Sequence, residues 1–365
     1  MKIKEVIAHL EQKFPLFWQE DFDNCGIQCG DKEREITGVM VCFDISEKVI
    51  DEAISKNCNM VVSHHPIIYR NGLKKIEPTN RVGKVVLKAI ENKILLYSMH
   101  TNMDSGMNGG NVLFSKKLGL QNIKVLSPKT DMFRKLVVFS PKESAEKLRS
   151  AIFEAGSGTL GNYINCSYNM DGYGTFTPLE GAQPAVGKIG IPNHVPEERI
   201  EVVYPTIAQK RVIEALFKNH PYEEPAFDII KLENLNYQIG LGRIGSLPEP
   251  MDVKPFLQFV KEQLNIETIK YSGKIEKKIE KVAVCGGGGA SYIMDALGMG
   301  ADIYLTGDIK YHDYFLAENK MIVADIGHFE GENFIREIIF NEITDFFTNF
   351  ASYISEDEKL EINLI

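Results

Sequence analysis

The sequence has no apolar run that approaches the roughly 20 residues a helix needs to cross a bilayer. Its first segment, MKIKEVIAHLEQKFP, has apolar residues at helical spacing and lacks the uninterrupted apolar stretch of a signal peptide. Both absences argue against a membrane protein and a secreted one. We therefore expect a cytoplasmic protein whose first segment is a mature amphipathic helix.

The chain also lacks an excess of basic residues and a paired arrangement of cysteines. Its formal net charge is -9, which argues against a nucleic-acid partner bound through a broad basic surface. Of the six cysteines, only Cys25 and Cys29 are close in sequence, and no second pair completes a zinc knuckle. We expect no nucleic-acid partner, and we expect the cysteines to be structural or incidental.

The length of 365 residues predicts two or three domains. At both ends of the chain, short apolar strands alternate with helical segments, which predicts parallel sheets covered by helices. The strands predicted there are 36–43, 60–63, 94–99, 281–285, 303–307 and 322–326, and a single helix is predicted from about Phe329 to Phe347. The fold class is therefore α/β, and the two ends are expected to form one layered domain with parallel or mixed sheets.

Between these ends the pattern changes. RKLVVFSPKESAEKLRSAIFEAG is typical of a strand and an amphipathic helix, and RIEVVYPTIAQKRVIEALFKNHPYEEPAFDIIKL repeats that order and adds a strand. Two such units predict a ferredoxin-like α+β domain inserted into the α/β domain. The predicted domains are 1–126 and 241–365, which form the α/β domain together, and the inserted 127–240.

Five of the eight histidines follow directly after predicted strands. The polar residues at these positions are His64 and His65, His100 and Asp104, Asp308 and His312, and His328 and Glu332. The carboxyl ends of strands in an open α/β sheet share one edge, and ligands gather there. We therefore expect these side chains to meet.

Each pair alone has an ordinary structural explanation. A His-His dipeptide is commonly a surface or capping feature, and Asp104 could cap a helix in a turn. His328 and Glu332, four residues apart on one helix face, could be a hydrogen-bonded pair. Delivered to one edge by three separate strands, however, these side chains predict a metal site with the ligands His64, His65, Asp104, His328 and Glu332.

The chemistry of these ligands restricts the metal. Nitrogen and oxygen ligands without thiolates suit Zn, Mn, Fe or Co rather than Ca or an iron–sulfur cluster, and we expect Zn. Five ligands exceed the number that one tetrahedral zinc takes, whereas a bridging carboxylate would let them complete two ions. Two such ions lower the pKa of bound water, which predicts hydrolytic chemistry.

Other polar residues near these strand ends have two alternative roles each. Asp308 and His312 are candidates for supporting the ligands or for acid/base work, with a purely structural pair as the equal alternative, and His100 is treated in the same way. The glycines at 286–289 lack the Lys-Ser/Thr ending of a P-loop. We expect a close approach of this backbone to the metal site or substrate, with a tight strand-helix turn as the alternative.

The motifs DFDNCGIQCG, SHHP, HTNMD, CGGGGA, TGDIKYHD and GHFEGE together resemble the signatures of the GTP cyclohydrolase 1 type 2 homologues, also known as dinuclear-metal-centre hexameric proteins. The segment NHPYEEPAFDI resembles the PII-like insertion of the longer bacterial members. The resemblance implies that His64 and His65 ligate different metals, that Asp104 joins one of them, and that His328 completes the site with Glu332 as the bridge. It further implies a toroidal homohexamer whose metal sites face an internal cavity.

Two functions follow from these expectations. In the first, the protein is a metal-dependent hydrolase in which a metal-activated water attacks a nucleotide such as GTP, while His100 or His312 shuttles protons. In the second, it is a non-catalytic hexamer that stores or delivers metal or senses a small ligand through the PII-like insertion. The absence of a nucleotide-specific motif keeps the second function open.

Overall fold

A computed structural model describes residues 1–69, 75–273 and 278–357. The chain divides into two compact units. The first consists of Met1–Pro128 and Tyr237–Ile365, and the second is Lys129–Asn236. In the described residues, no helix has both the length and the apolar character needed to cross a membrane.

The helices and strands are numbered in chain order. The helices are α1 (Ile3–Lys13), α2 (Glu47–Ser55), α3 (Arg81–Glu91), α4 (Thr101–Asp104), α5 (Gly110–Lys117), α6 (Lys142–Glu154), α7 (Gln209–Asn219), α8 (Val253–Leu264), α9 (Ile293–Gly298), α10 (His328–Glu332) and α11 (Ile335–Phe346). The strands are β1 (Gly26–Cys29), β2 (Gly38–Cys42), β3 (Met60–Ser63), β4 (Leu95–Ser98), β5 (Gln121–Lys129), β6 (Phe133–Pro141), β7 (Tyr168–Phe176), β8 (Asn193–Pro205), β9 (Phe227–Leu232), β10 (Asn236–Met251), β11 (Lys270–Tyr271), β12 (Ile279–Val284), β13 (Ile303–Thr306), β14 (Ile322–Asp325) and β15 (Ala351–Ile354).

The first unit contains two sheets. One has the strand order β1-β4-β3-β2-β15, in which β2, β3, β4 and β15 run parallel and β1 is antiparallel to β4. The other has the order β11-β14-β13-β12-β10-β5, in which β12, β13 and β14 run parallel, and β10 and β11 pair with them antiparallel. The predicted mixed α/β fold is confirmed, and the six predicted strands correspond to β2, β3, β4, β12, β13 and β14.

The central strands are buried on both faces, which explains their continuous apolar sequences. Alternate residues of a strand point to opposite faces. Thus Val62 and Leu305 join a core that also receives α1, α5, α8 and α11. Val61 packs instead with α2 and α3, and Tyr304 packs with α9. Helices therefore cover the parallel strands, and the carboxyl ends of those strands are left to form a site.

The C-terminal region differs in detail from the sequence prediction. The single helix predicted from about Phe329 to Phe347 is two helices, α10 and α11, which are separated by Asn333 and Phe334. The short α10 begins at His328 and ends at Glu332, so both predicted ligands lie on one helical turn. Beyond α11, β15 returns to the first sheet and pairs in parallel with β2, a strand that the sequence patterns did not predict.

The second unit is an antiparallel sheet with the order β7-β8-β6-β9. In chain order its elements are β6, α6, β7, β8, α7 and β9. This is the split β-α-β arrangement of a ferredoxin-like unit. Its core consists of residues of β6 and β8, such as Leu136 and Ile200, packed against Leu148 of α6 and Val212 and Leu216 of α7.

Candidate metal centre

The carboxyl ends of strands from both sheets of the first unit deliver the predicted ligands to one place. His64 and His65 follow β3 directly. Asp104 is the last residue of α4, the short helix that follows β4. His328 and Glu332 are the first and last residues of α10, which follows β14. All five predicted ligands therefore lie just beyond strand ends.

Two groups of these side chains share Glu332. In the first group, His64 Nε2 lies 3.7 Å from Asp104 Oδ2 and 3.6 Å from Glu332 Oε2. In the second group, Glu332 Oε2 lies 3.6 Å from His65 Nε2 and 3.3 Å from His328 Nε2. The ligand atoms within each group lie within 4.8 Å of one another, so each group could hold a metal ion. One carboxylate oxygen thus faces both groups.

The backbone at His64 and His65 bends so that both rings face the cluster. The amides of His64 and His65 bond to the carbonyls of Cys42 and Phe43, at 3.2 and 3.1 Å, which continues the pairing of β2 with β3. The two ring centroids are only 4.9 Å apart. The Phe43 ring packs against both imidazoles, at 5.5 and 4.5 Å. Adjacent residues, which would point apart on a straight strand, therefore meet here.

Carboxylates outside the cluster hold the rings of His65 and His328. Asp44 Oδ1 lies 3.1 Å from His65 Nδ1, and Asp308 Oδ2 lies 2.6 Å from His328 Nδ1. Asp308 has a φ of 54°, a left-handed conformation that Asp tolerates better than most residues. A carboxylate on Nδ1 fixes the orientation of an imidazole and raises its basicity as a ligand through Nε2.

His64 and Glu332 provide the clearest test of whether these residues suit a metal. His64 Nδ1 donates a hydrogen bond to the Met99 carbonyl at 2.8 Å, because a carbonyl can only accept. This leaves His64 Nε2 facing the cluster. Among the described residues, neither His64 Nε2 nor Glu332 Oε2 has a hydrogen-bond partner, although both atoms are buried. Buried polar atoms without partners are costly, and a cation between them would remove that cost.

Burial and charge move the pKa values of the histidines in opposite directions. Burial lowers the pKa of His64 to about 4, against the opposing effect of Glu332. Burial also disfavours the charged form of His65, but Asp44 and Glu332 outweigh it and raise the pKa of His65 to about 10. For His328, burial is outweighed by Glu332 and then by Asp308, and its pKa rises to about 9.

The two buried carboxylates respond differently to the same surroundings. Burial, reinforced by the neighbouring Glu332, raises the pKa of Asp104 well above its ordinary value. Burial would raise the pKa of Glu332 as well, but the three imidazoles that face it hold that pKa well below its ordinary value. In the metal-free protein, Glu332 is therefore the charged carboxylate of the cluster, facing imidazolium groups.

The glycine run after β12 is packed against Glu332. A Cβ on Gly287 would lie 2.3 Å from Glu332 Oε1, and a Cβ on Gly286 would lie 2.7 Å from Glu332 Cγ. Gly287 also has a φ of 62°, which favours glycine. The backbone of the glycine run therefore lies against Glu332, one of the predicted ligands.

Two buried side chains fix the position of the chain around Asp104. Asn111 donates to the Asp104 carbonyl at 3.3 Å and accepts a hydrogen bond from the Gly286 amide at 2.8 Å. Arg243 donates to the carbonyl of Gly106 at 2.6 Å and to that of Ser105 at 3.2 Å. Asn111 thereby joins the Asp104 segment to the glycine run by direct hydrogen bonds.

His100 belongs to the same cluster, whereas His312 does not. One ring nitrogen of His100 lies within 4.8 Å of ligand nitrogens of His64 and His65. His100 Nδ1 lies 2.9 Å from Asp23 Oδ2. His312 is exposed and contacts the rings of Tyr311 and Phe315, and it is in none of the ligand groups formed by the described residues.

Sequence reasoning gave no role to Asp23 or Asp44, although each contacts a histidine of the cluster. Asp44 follows β2 by two residues, so the strand-end argument could have found it. Asp23 precedes β1 and lies in the DFDNCGIQCG motif. Its carboxylate also accepts hydrogen bonds from the amide and hydroxyl of Thr101. Neither residue has a partner nearby in sequence that would have indicated its contact.

Comparison with known proteins identifies the family. The profile of Duf34/NIF3 (NGG1p interacting factor 3) matches residues 1–359. A curated relative from Bacillus subtilis, named GTP cyclohydrolase 1 type 2 homolog, is 37% identical over 99% of this chain and 95% of its own length. A relative of the same name from Halalkalibacterium halodurans is 40% identical over 88% of this chain and 87% of its own. The chain belongs to the Duf34/NIF3 family.

The resemblance found in the sequence motifs is thereby confirmed. Solved structures agree with it. A Bacillus cereus protein related to NIF3 is similar to this Duf34/NIF3 chain with a TM-score of 0.79 and 35% identity, over 100% of this chain and 99% of the other. A Staphylococcus aureus protein is similar with a TM-score of 0.79 and 28% identity, again over 100% of this chain and 99% of the other. The α/β fold of the chain is thus shared along its whole length.

Replacing Gly287 with Ala should weaken metal binding in this Duf34/NIF3 protein. The added Cβ would strain a left-handed residue and push Glu332 out of its position between the two groups. We expect metal affinity to fall roughly 10- to 100-fold, as for other residues that hold a ligand in place. Isothermal titration calorimetry with Zn²⁺ measures this.

The matched control is Gly119→Ala. Gly119 has a φ of 66°, and a Cβ there would meet nothing within 4 Å. This variant carries the same backbone strain without the contact with Glu332, so its metal affinity should equal that of the wild type. Equal losses in the two variants would contradict the role of the glycine run.

Metal binding should release protons and strengthen as the pH rises. His65 and His328, whose pKa values are raised to about 10 and about 9, carry protons at pH 7 in the metal-free protein. A ligating imidazole must lose that proton, so we expect at least two protons to be released at pH 7 when the cluster fills, and any proton held by Asp104 adds to them. Calorimetry in buffers of different ionisation enthalpy counts them, and a release of none would contradict the assignment.

Proposed function

We propose that the cluster binds two divalent metal ions. His64 and Asp104 would hold one ion, His65 and His328 the other, and Glu332 would lie between them. The observation that supports this most strongly is the position of Glu332 Oε2, within 3.6 Å of the three imidazole nitrogens and without a hydrogen-bond partner among the described residues. Zinc is the proposed metal, with Mn, Fe or Co as alternatives.

We further propose that the protein is a metal-dependent hydrolase. Two ions of this kind, when bound, lower the pKa of a water and polarise the bond to be hydrolysed. The chain itself orients the ligands through Asp44 and Asp308. The site opens on one side: the His64 side chain is 0% exposed, whereas that of His328 is 35% exposed. A substrate would therefore approach past His328.

His100 is the proposed proton carrier. It lies beside His64 and His65 without being needed in either ligand group that contains Glu332. Asp23 beside its Nδ1 would hold the orientation of the ring. Asp308 instead contacts His328 Nδ1, which supports a positioning role. His312 is exposed, and its contacts with Tyr311 and Phe315 give no support for an acid/base role.

The proposed substrate class is a nucleotide such as GTP. We propose GTP because the curated relatives share the name GTP cyclohydrolase 1 type 2 homolog. Opening of the guanine ring would take two hydrolyses at C8: the first water would open the imidazole ring to a formamide, and the second would release formate. The homohexameric ring implied by the family resemblance is part of the same proposal, as is a PII-like character of the second unit, which its ferredoxin-like strand order supports.

A non-catalytic hexamer that stores or delivers metal, or senses a small ligand, is the second candidate. The observation that favours it is a cavity of about 490 Å³ within the second unit, whose lining residues all belong to that unit. A sensing role would require this cavity to take a ligand. The two functions are distinguished by whether the metal-loaded protein turns over a substrate.

Elemental analysis tests the metal site. We expect roughly two ions per wild-type chain, about one in His64→Ala, and close to none in Glu332→Ala, because only Glu332 serves both groups. His312→Ala is the matched control and should retain the wild-type content. Circular dichroism should show that all variants are folded. Full metal content in folded Glu332→Ala would contradict the shared ligand.

Formate release from GTP by the zinc-loaded protein tests the hydrolase. We expect turnover, and we expect His100→Asn to lower it roughly 100-fold or more while the metal content is kept. His312→Asn should have wild-type activity. Absence of turnover with GTP and with a panel of other nucleotides and phosphoesters, in protein that holds its two ions, would favour the non-catalytic function.

A further inference from the structure

The cavity in the second unit is separate from the metal centre and has the size of a small-molecule site. Its volume is about 490 Å³, within the range of roughly 300–1,000 Å³ that is usual for ligand pockets. The last residues of β7 form one wall, and residues 222–226 between α7 and β9 form another. None of the five predicted metal ligands lines it.

A buried carboxylate lies in the wall of this cavity. Glu197 on β8 is only 8% exposed. Its Oε1 accepts a hydrogen bond from the Tyr222 hydroxyl at 2.8 Å. Its Oε2 lies over Gly174, where a Cβ would approach within 2.3 Å, and accepts no hydrogen bond from the described residues. A largely buried carboxylate in the cavity wall, with one oxygen that accepts no hydrogen bond from the described residues, can accept one from a molecule in the cavity.

The wall that holds this carboxylate is also rich in aromatic rings. Phe139, Tyr173, Phe176 and Tyr222 all line the cavity. Phe176 and Tyr222 are 6.0 Å apart between ring centroids, and Tyr173 is held by stacking on His194 at 4.9 Å. The faces of aromatic rings attract cations, and rings that enclose a site are the usual means of recognising organic ammonium ions.

The charges of the wall also select for a cation. Besides Glu197, the acidic residues Glu223 and Glu224 line the cavity, and among the described residues no Lys or Arg does. The guanidinium of Arg199 lies over the Phe139 ring and is paired with Glu201 at 2.8 Å. An anionic ligand such as a nucleotide would meet the Glu197 carboxylate and an acidic wall with no lining cation to offset them.

We propose that this cavity binds a small organic ammonium or guanidinium ion. The N–H of the ligand donates to Glu197 Oε2, and the aromatic walls contact its charged group and its carbon skeleton. The cavity therefore discriminates against phosphates and nucleotides, whatever the metal centre acts on. The proposal does not depend on the metal chemistry, because no residue of the metal centre takes part.

Three probes of one shape test the proposal on the full-length protein. Benzylamine is cationic, benzyl alcohol neutral and benzoate anionic at pH 7. In ligand-observed NMR titrations, we expect saturable binding of benzylamine and no binding of benzoate. The affinity for benzyl alcohol should be weaker than that for benzylamine by roughly tenfold or more. Glu197→Gln keeps the shape of the side chain. This variant should weaken the binding of benzylamine by a similar factor and leave the affinity for benzyl alcohol unchanged.

Glu233→Gln is the matched control, because Glu233 is exposed and does not line the cavity. It should bind benzylamine as the wild type does. Tyr173 is 70% exposed, so the core does not depend on it. Tyr173→Ala should lower the affinity for benzylamine roughly threefold, because one aromatic wall is lost. Benzoate or ATP competing with benzylamine, or wild-type binding by folded Glu197→Gln, would overturn the proposal.

Discussion

The arrangement of the first unit depends on one carboxylate oxygen, Glu332 Oε2, buried among three imidazole nitrogens at 3.3–3.6 Å. A buried charge is costly unless it is paired, and removal of one partner leaves the others exposed to that cost. Here the partners are histidines whose own outer nitrogens are held by Met99, Asp44 and Asp308. These contacts therefore aim the three rings inward, toward Glu332, in the metal-free protein.

That geometry requires two sheets to be packed in a fixed relation. The first sheet supplies His64 and His65, and the second supplies His328 and Glu332. Val62 and Leu305, one from each sheet, belong to the same buried core, so the strand ends cannot shift independently. Gly287 then brings the backbone of the second sheet against the Glu332 side chain. Core packing is thus what converts separated sequence motifs into one site.

The sequence was sufficient for the parts of this arrangement that follow from local patterns. Buried parallel strands have continuous apolar sequences, and the residues after them lie at one edge, which led to the five predicted ligands and to His100. Asp23 was missed because it precedes its strand and its contact with His100 joins distant segments, whereas Asp44 follows β2 and could have been found by the strand-end argument. The pairing of β15 with β2, like the packing of Glu197 against Gly174, depends on tertiary contacts that no local periodicity records.

The most direct test of the shared carboxylate is an anomalous difference map from crystals grown with zinc or cobalt. We expect two peaks roughly 3.5–4 Å apart, one beside His64 and Asp104 and the other beside His65 and His328, with the Glu332 carboxylate in contact with both. A single peak coordinated without Glu332, or two peaks of which only one contacts it, would contradict the shared carboxylate.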